Sequence, residues 1–159
     1  MVSEVKPFDD FSLPRVAQLT QRSNQFNLRT IRYTVADIDR LRNSADYITM
    51  SFQLADKFGD HGLIGLVILK QLEDATAFID TWIMSCRVLK RGMEEFIVNQ
   101  MVRQARQRGV KRLVGEYLPT SKNSMVKNLY GDLGFAGGDG RWELDLEKFE
   151  ERKTFIRTK

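Results

Sequence analysis

The longest apolar run in the chain is Leu63 to Leu69, closed by Lys70. It is far too short to cross a bilayer, which takes about 20 residues. It also lacks the alternation of a strand with one wet face, so as a strand it needs cover on both sides. That requirement points to a central strand with layers above and below. A chain of 159 residues, 42% hydrophobic and 29% charged, can supply that cover within one domain.

The elements around this strand follow from periodicity and punctuation. Pro14, in the first turn after Ser12 or Leu13, opens a helix that ends near Asn24 to Asn27. Arg29 to Tyr33 reads as a short strand. Thr34 then caps a helix with Asp37 in its first turn and Val35, Ile38 and Leu41 on one side. In Tyr47 to Ala55, the residues Ile48, Met50, Phe52 and Leu54 share a face. A turn at Phe58 to Gly62 leads into the apolar strand, and Ala77 to Ser85 forms the next one. A long helix spans Gly92 to Arg108, with Gly109 as its C-cap. Arg112 to Leu118 is a strand stopped by Pro119, Ser124 to Asp132 a helix ended by Gly134, and Arg141 to Leu146 a strand. Thr154 to Arg157 is a candidate for one more. The expected fold class is α/β (α+β): a mixed, mostly antiparallel twisted sheet with helices on both faces.

The one cysteine, Cys86, and one histidine, His61, exclude structural disulfides within the chain and Cys/His zinc sites. No metal is expected. Met1 to Lys6 shows no apolar h-region, so no secretory signal is expected and the cytoplasm is the expected location. A net charge of +4 suits any polyanion and does not choose among them. Arg103, Arg106, Arg108, Lys111 and Arg112 cluster without interleaved aromatics, which disfavours nucleic acid.

Two junctions can carry chemistry. At Ser85 to Glu94 a strand ends, a basic loop follows and a long helix begins. Free N–H groups at a helix start, with Arg87, Lys90 and Arg91 nearby, suit a phosphate; a solvated basic turn is the alternative. At Glu116 to Asn123 a strand leads through a loop into a short helix. If this strand parts from its neighbour, after Met84 and near Glu116, the slot would admit an extended pantetheine arm pairing by strand addition.

The pattern Asn123-x-x-Val126-x-x-Leu129-Tyr130-x-x-Leu133-Gly134-Phe135 resembles the last cofactor-side motif of the GNAT superfamily of N-acetyltransferases. Ala77 to Arg108 is similar to its phosphate-binding strand–loop–helix, and Ile31 to Ile38 to its opening strand and helix. The likeness covers roughly Thr30 to Leu146. A narrower resemblance, in Leu13 to Leu19, Asn24 to Leu28 and Ser85 to Leu89, is to the carboxyl-terminal part of FkbH-like proteins. There a phosphatase domain precedes the GNAT-like part, and a glyceryl unit is loaded onto an acyl carrier protein for polyketide assembly. On this reading residues 1–28 are a helical extension packed on a GNAT-like acyltransferase domain, 29–159, whose central strand pair splays.

The resemblance implies acyl transfer from a thioester of CoA, such as acetyl-CoA, or from acyl-phosphopantetheine on a carrier protein. Tyr130 is implied as the general acid for the leaving thiolate; a core aromatic is its alternative. Glu116 is a candidate base, with Asp80 behind it, and a solvent-facing strand residue is the alternative. Met84, Ser85, Cys86, Arg87, Lys90, Arg91, Gly92 and Met93 are implied to flank the cofactor, and Asn123 to hydrogen-bond it; a helix N-terminal residue is the alternative for Asn123. Cys86 could also relay an acyl group as its thiolate, with a small buried hydrophobe as the alternative. The phosphate loop departs from the superfamily's R/Q-x-x-G-x-G/A. With Gly92 as the first glycine, Leu89 replaces the basic residue and Glu94 the final small one. Glu94 would oppose a pyrophosphate there, which favours the single phosphate of a carrier. A non-catalytic module docking a carrier protein or a phosphatase partner is the competing expectation.

Overall fold

The computed structural model describes residues 1–89 and 92–159. Strand β3, Gly59–Gln71, has each face in a different core. Leu66 and Ile68 point to one, Val67 and Leu69 to the other, as the long apolar run requires. The first core is roofed by α1, Leu13–Arg22, and α2, Val35–Arg42. The second is roofed by α3, Met93–Gln107, and the short α4, Leu129–Asp132.

The remaining strands are β1 (Val2–Lys6), β2 (Tyr47–Asp56), β4 (Thr76–Met84), β5 (Arg112–Glu116), β6 (Ala136–Gly138), β7 (Arg141–Asp145) and β8 (Arg157–Thr158). All join one mixed sheet in the order β6-β7-β5-β4-β3-β2-β1-β8. Strands β1 to β4 pair antiparallel in sequence order, β5 lies parallel to β4, and β8 parallel to β1. Among the described residues no helix is long and apolar enough to cross a membrane.

Several elements match their sequence signals. Thr34 caps α2 through a reciprocal pair: its hydroxyl accepts the Asp37 N–H at 3.1 Å, and the Asp37 carboxylate accepts the Thr34 N–H at 2.9 Å. In α3 the stripe Phe96, Ile97, Met101, Val102 and Ala105 is buried. Gly92 precedes α3 at φ +80° and Gly109 follows it at φ +76°, both in the left-handed region.

Four expectations are corrected. Residues 1–28 are not an appended helical extension, because β1 pairs along β2 from Val2↔Ala55 to Lys6↔Ser51 inside the main sheet. Arg29 to Tyr33 is a loop without strand pairing. It is stitched to the end of α1 instead: the Arg32 guanidinium donates to Thr20 O and Ser23 O at 2.6 and 2.7 Å, and the Tyr33 N–H to Thr20 Oγ1. The helix expected over Ser124 to Asp132 divides into a 3₁₀ turn, Ser124–Val126, and α4, because Asn128 leaves helical geometry. The carboxyl-terminal strand reduces to β8. Its lead-in straps α3, where the Asn99 side chain exchanges two 2.9 Å hydrogen bonds with the Arg152 backbone.

Hydrogen bonding from Thr34, backbone first and hydroxyl second, holds the Asp37 carboxyl below the usual carboxylate value. The cap's contribution is therefore present above the unfolded pKa of Asp37 and is lost as pH falls through its lowered folded value. Thr34→Ala is expected to cost about 1 kcal/mol in urea unfolding at neutral pH. The difference from the parent should narrow in acid below that folded value.

Candidate functional site

The parallel pairing of β4 with β5 covers only Thr76↔Arg112, Ala77↔Leu113 and Phe78↔Val114. Beyond it the strands part. On its other side, β4 pairs Ile79 with Leu69 and Thr81 with Ile68, which leaves Asp80 as an extra residue, a β-bulge. A bulge bends its strand and increases local twist, so it turns β4 away from its neighbour at this level. Strand β5 does not follow, because it stays paired to β7 as far as Glu116↔Arg141. The expected fork is present, and it opens earlier along β4 than Met84.

Tyr130 lies beneath the fork. Its ring packs on β5 at Gly115, where any Cβ would come within 2.6 Å of the ring carbon bearing the hydroxyl. Trp82 and Phe135 flank it, with ring centroids at 6.1 and 4.8 Å. The residue is 1% exposed, and burial pushes the phenol well above its usual pKa. The charge of Arg29 lowers it and that of Glu116 raises it, so both stand close enough to be felt. The phenol is thus protonated at physiological pH, the state that a proton donor needs. Its burial also fits the core-aromatic alternative.

Arg29, Asp80, Glu116 and Tyr33 meet in the fork. The Arg29 guanidinium donates from Nε to Glu116 Oε1 at 3.1 Å and from Nη1 to the Asp80 carbonyl at 2.9 Å. Its Nη1 also lies 3.4 Å from the Asp80 carboxylate, and its carbon 4.6 Å from the Phe78 ring centre. Asp80 Oδ2 accepts the Tyr33 hydroxyl at 2.7 Å and the Thr81 hydroxyl at 2.9 Å. Burial first, then the bond to Asp80, pushes the Tyr33 phenol upward, so it remains a donor. Glu116, expected as a base or a solvent-facing residue, is ion-paired and partly buried.

The slot is not empty. Asn27 makes an antiparallel bridge to Ile83 on β4, and the Leu118 N–H donates to Leu28 O at 2.8 Å. The stretch Asn27 to Arg29 therefore takes the place intended for an extended arm. The expectation of an open channel is corrected on this ground.

Asn123 stands at the start of the 3₁₀ turn Ser124–Val126, as its helix-start alternative had it. It is completely buried, and its amide donates to Asn27 O and Leu118 O at 3.0 Å each. Its oxygen accepts from the Thr120 N–H at 2.8 Å and the Tyr117 hydroxyl at 3.2 Å. It clasps the loop after β5 to the segment in the fork.

At the other junction, the side chains of Met84 and Met93 are buried in the core. The Ser85 N–H is taken by Ile64 O at 2.7 Å, and the Ser85 hydroxyl accepts the Arg87 N–H. Cys86 and Arg87 are exposed on the 3₁₀ turn Cys86–Val88, and the Cys86 thiol donates to Gln25 Oε1 at 3.2 Å. Lys90 and Arg91 lie outside the described residues. Gly92 precedes α3, and the Thr154 hydroxyl donates to its carbonyl at 2.8 Å. Glu94 and Glu95 both occupy the first turn of α3.

Sequence reasoning missed Arg29, Tyr33 and Gly115 as members of this site. Their residue types carried no signal, since an arginine and a tyrosine in an extended stretch and a glycine in a strand are commonplace.

No protein-family model matches this sequence, and no curated protein does either. Its fold has clear counterparts among solved structures. The spermidine N-acetyltransferase from Vibrio cholerae, in complex with CoA and spermine, superposes with a TM-score of 0.71 at 13% identity, over 92% of this chain and 96% of that one. The PaiA N-acetyltransferase from Thermoplasma acidophilum, in complex with CoA, gives 0.69 at 14%, over 91% and 99%. The ribosomal-protein-S18-alanine N-acetyltransferase from Escherichia coli gives 0.64 at 15%, over 96% and 99%. At such identities the likeness defines the class of structure: this chain has the fold of the GNAT N-acetyltransferases.

Gly115→Ala should force the Tyr130 ring out of place. We expect a loss of about 1–3 kcal/mol by overpacking, measured by urea unfolding.

Proposed function

We propose that this chain is an acyltransferase that takes an acyl group from a pantetheine thioester at the fork between β4 and β5. The supporting observation is the early parting of that parallel pair directly above a buried, protonated Tyr130. The acceptor's nucleophilic atom attacks the thioester carbon, a bond to it forms, and the carbon–sulfur bond breaks. The Tyr130 phenol supplies a proton to the leaving thiolate and recovers one from solvent. Glu116, or Asp80, accepts the proton that the nucleophile sheds. A protonated amine suits the position, because the spot filled by Arg29 already stabilises a cation between two carboxylates and the Phe78 face. The amine gives that first proton to solvent before it attacks, and the carboxylate takes the second as the new bond forms.

CoA is the donor at the coarser level of this reading, since two of the similar structures hold it. The finer reading is a carrier-borne acyl-phosphopantetheine, as the FkbH-like resemblance suggests. Two glutamates begin α3 where a pyrophosphate would dock, and a donor with a single phosphate meets less repulsion there. Cys86 is exposed beside the fork but bonded to Gln25, which gives an acyl relay no direct support.

A second reading is favoured by one observation, the occupation of the fork by Asn27 to Arg29. If that arrangement is permanent, the domain docks a carrier protein or phosphatase partner without turnover.

Calorimetric titration with acetyl-CoA and with an acylated carrier protein separates the two. Saturable binding with acyl transfer to an amine is expected, and transfer should fall by about 10²–10⁴-fold in Tyr130→Phe, the range for removal of a general acid. Binding of the carrier protein with no transfer, unchanged in Tyr130→Phe, would establish docking instead.

A further inference from the structure

The segment in the fork carries marks of a poorly stabilised state. Thr30 has φ +55°, a left-handed conformation that is a real outlier for a β-branched residue. Its hydroxyl is buried and, among the described residues, has no hydrogen-bond partner. The indole N–H of Trp82, on β4 within the fork, is likewise buried and unpartnered. Unmatched buried donors and backbone strain both raise the energy of the arrangement that contains them.

Against this stands a short set of contacts that hold the segment in. They are the bridge Asn27↔Ile83, the Leu118 N–H on Leu28 O, the Asn123 amide on Asn27 O, and the Arg29 guanidinium between Asp80 and Glu116. Asn27 Oδ1 also accepts the Thr30 N–H at 2.9 Å, which ties the strained residue to the bridge. Two of these contacts go through main-chain groups, on β4 and just beyond the end of β5. A pantetheine arm is an extended chain with two amides of its own and can take the same kind of partners.

We propose that Asn27 to Thr30 is a displaceable resident of the fork, and that a pantetheine arm binds by exchanging with it. This inference rests on the acyl-donor reading above and adds a gate to it. Binding is then weakened by the fraction of molecules whose fork is closed. The strain at Thr30 favours departure of the segment, while Asn123 and Arg29 favour its return.

Two measurements test the proposal. The first uses no ligand. Hydrogen exchange at the Leu118 amide should proceed through local opening, faster than at the amides of β2 and β3. Thr30→Asn, which tolerates the left-handed region better, should slow it by roughly tenfold. Exchange of Leu118 only with global unfolding would overturn the gate, whatever the activity.

The second measurement uses Asn27→Cys with Ile83→Cys in a Cys86→Ser background, so that only the new pair can form a disulfide. The same protein is titrated with acetyl-CoA and with 4′-phosphopantetheine, first reduced and then after oxidation by diamide. Binding when reduced and a loss of at least tenfold when oxidised is the expected result. Equal binding in both forms would show that the segment need not leave, and the proposal would fall. If the parent protein binds neither probe, the acyl-donor reading fails and the exchange with pantetheine fails with it. The Leu118 measurement then still reports whether the segment moves.

Discussion

The extra residue at Asp80 is what the site depends on. It bends β4 just where pairing with β5 stops, while β7 keeps β5 on its course to Glu116. Two parallel strands that diverge leave unpaired main-chain groups facing each other, and buried groups of that kind need partners. The chain meets the need with its own Asn27 and Leu28, and fastens them through Asn123. The same deficit that makes the fork attractive to an extended ligand has been met internally.

Charge follows from this arrangement. Asp80 and Glu116 approach each other from opposite sides of the fork, and the Arg29 guanidinium sits between them. Partly buried carboxylates without a cation would be costly, so any ligand that displaces Arg29 must bring a compensating charge or let water in. Tyr130 senses both Arg29 and Glu116 from below and stays protonated because it is out of water. The cluster therefore couples three things: the occupant of the fork, the carboxylates that could accept a proton, and the phenol that could give one.

The other end of the site is electrostatically mixed. A glycine in the left-handed region starts α3, as a phosphate-binding turn would, but Glu94 and Glu95 follow it and the Thr154 hydroxyl holds the Gly92 carbonyl. The carboxyl-terminal strap thus passes beside the helix start before joining β1 as β8.

Local signals were enough for much of the architecture. The apolar run at Leu63 to Leu69 required two covering layers, the Thr34–Asp37 pair fixed the start of α2, and the stripe ending at Gly109 fixed α3. Each depends on residues near one another in sequence, and each survives in the structure. The motif from Asn123 to Phe135 singled out Tyr130, as proton donor or core aromatic, and tertiary packing settles only that it is buried. The strand β1 escaped notice because Val2 to Lys6 is short and mixed in polarity, and its partners, β2 and β8, both lie far away along the chain. The strand expected at Arg29 to Tyr33 failed because its own arginines donate to main-chain carbonyls of β4 and α1 and its Tyr33 N–H to the Thr20 hydroxyl, with no neighbouring strand to pair with. Asn123 read as a ligand contact, yet its four hydrogen bonds are all internal. The sequence by itself determined the two layers covering the apolar strand, the starts of α2 and α3 and, through resemblance, the GNAT-like fork. Only the tertiary structure decided that the fork is filled, and by whom, because a bridge between Asn27 and Ile83 and a guanidinium shared by Asp80 and Glu116 are set by three-dimensional proximity, which leaves no local trace along the chain.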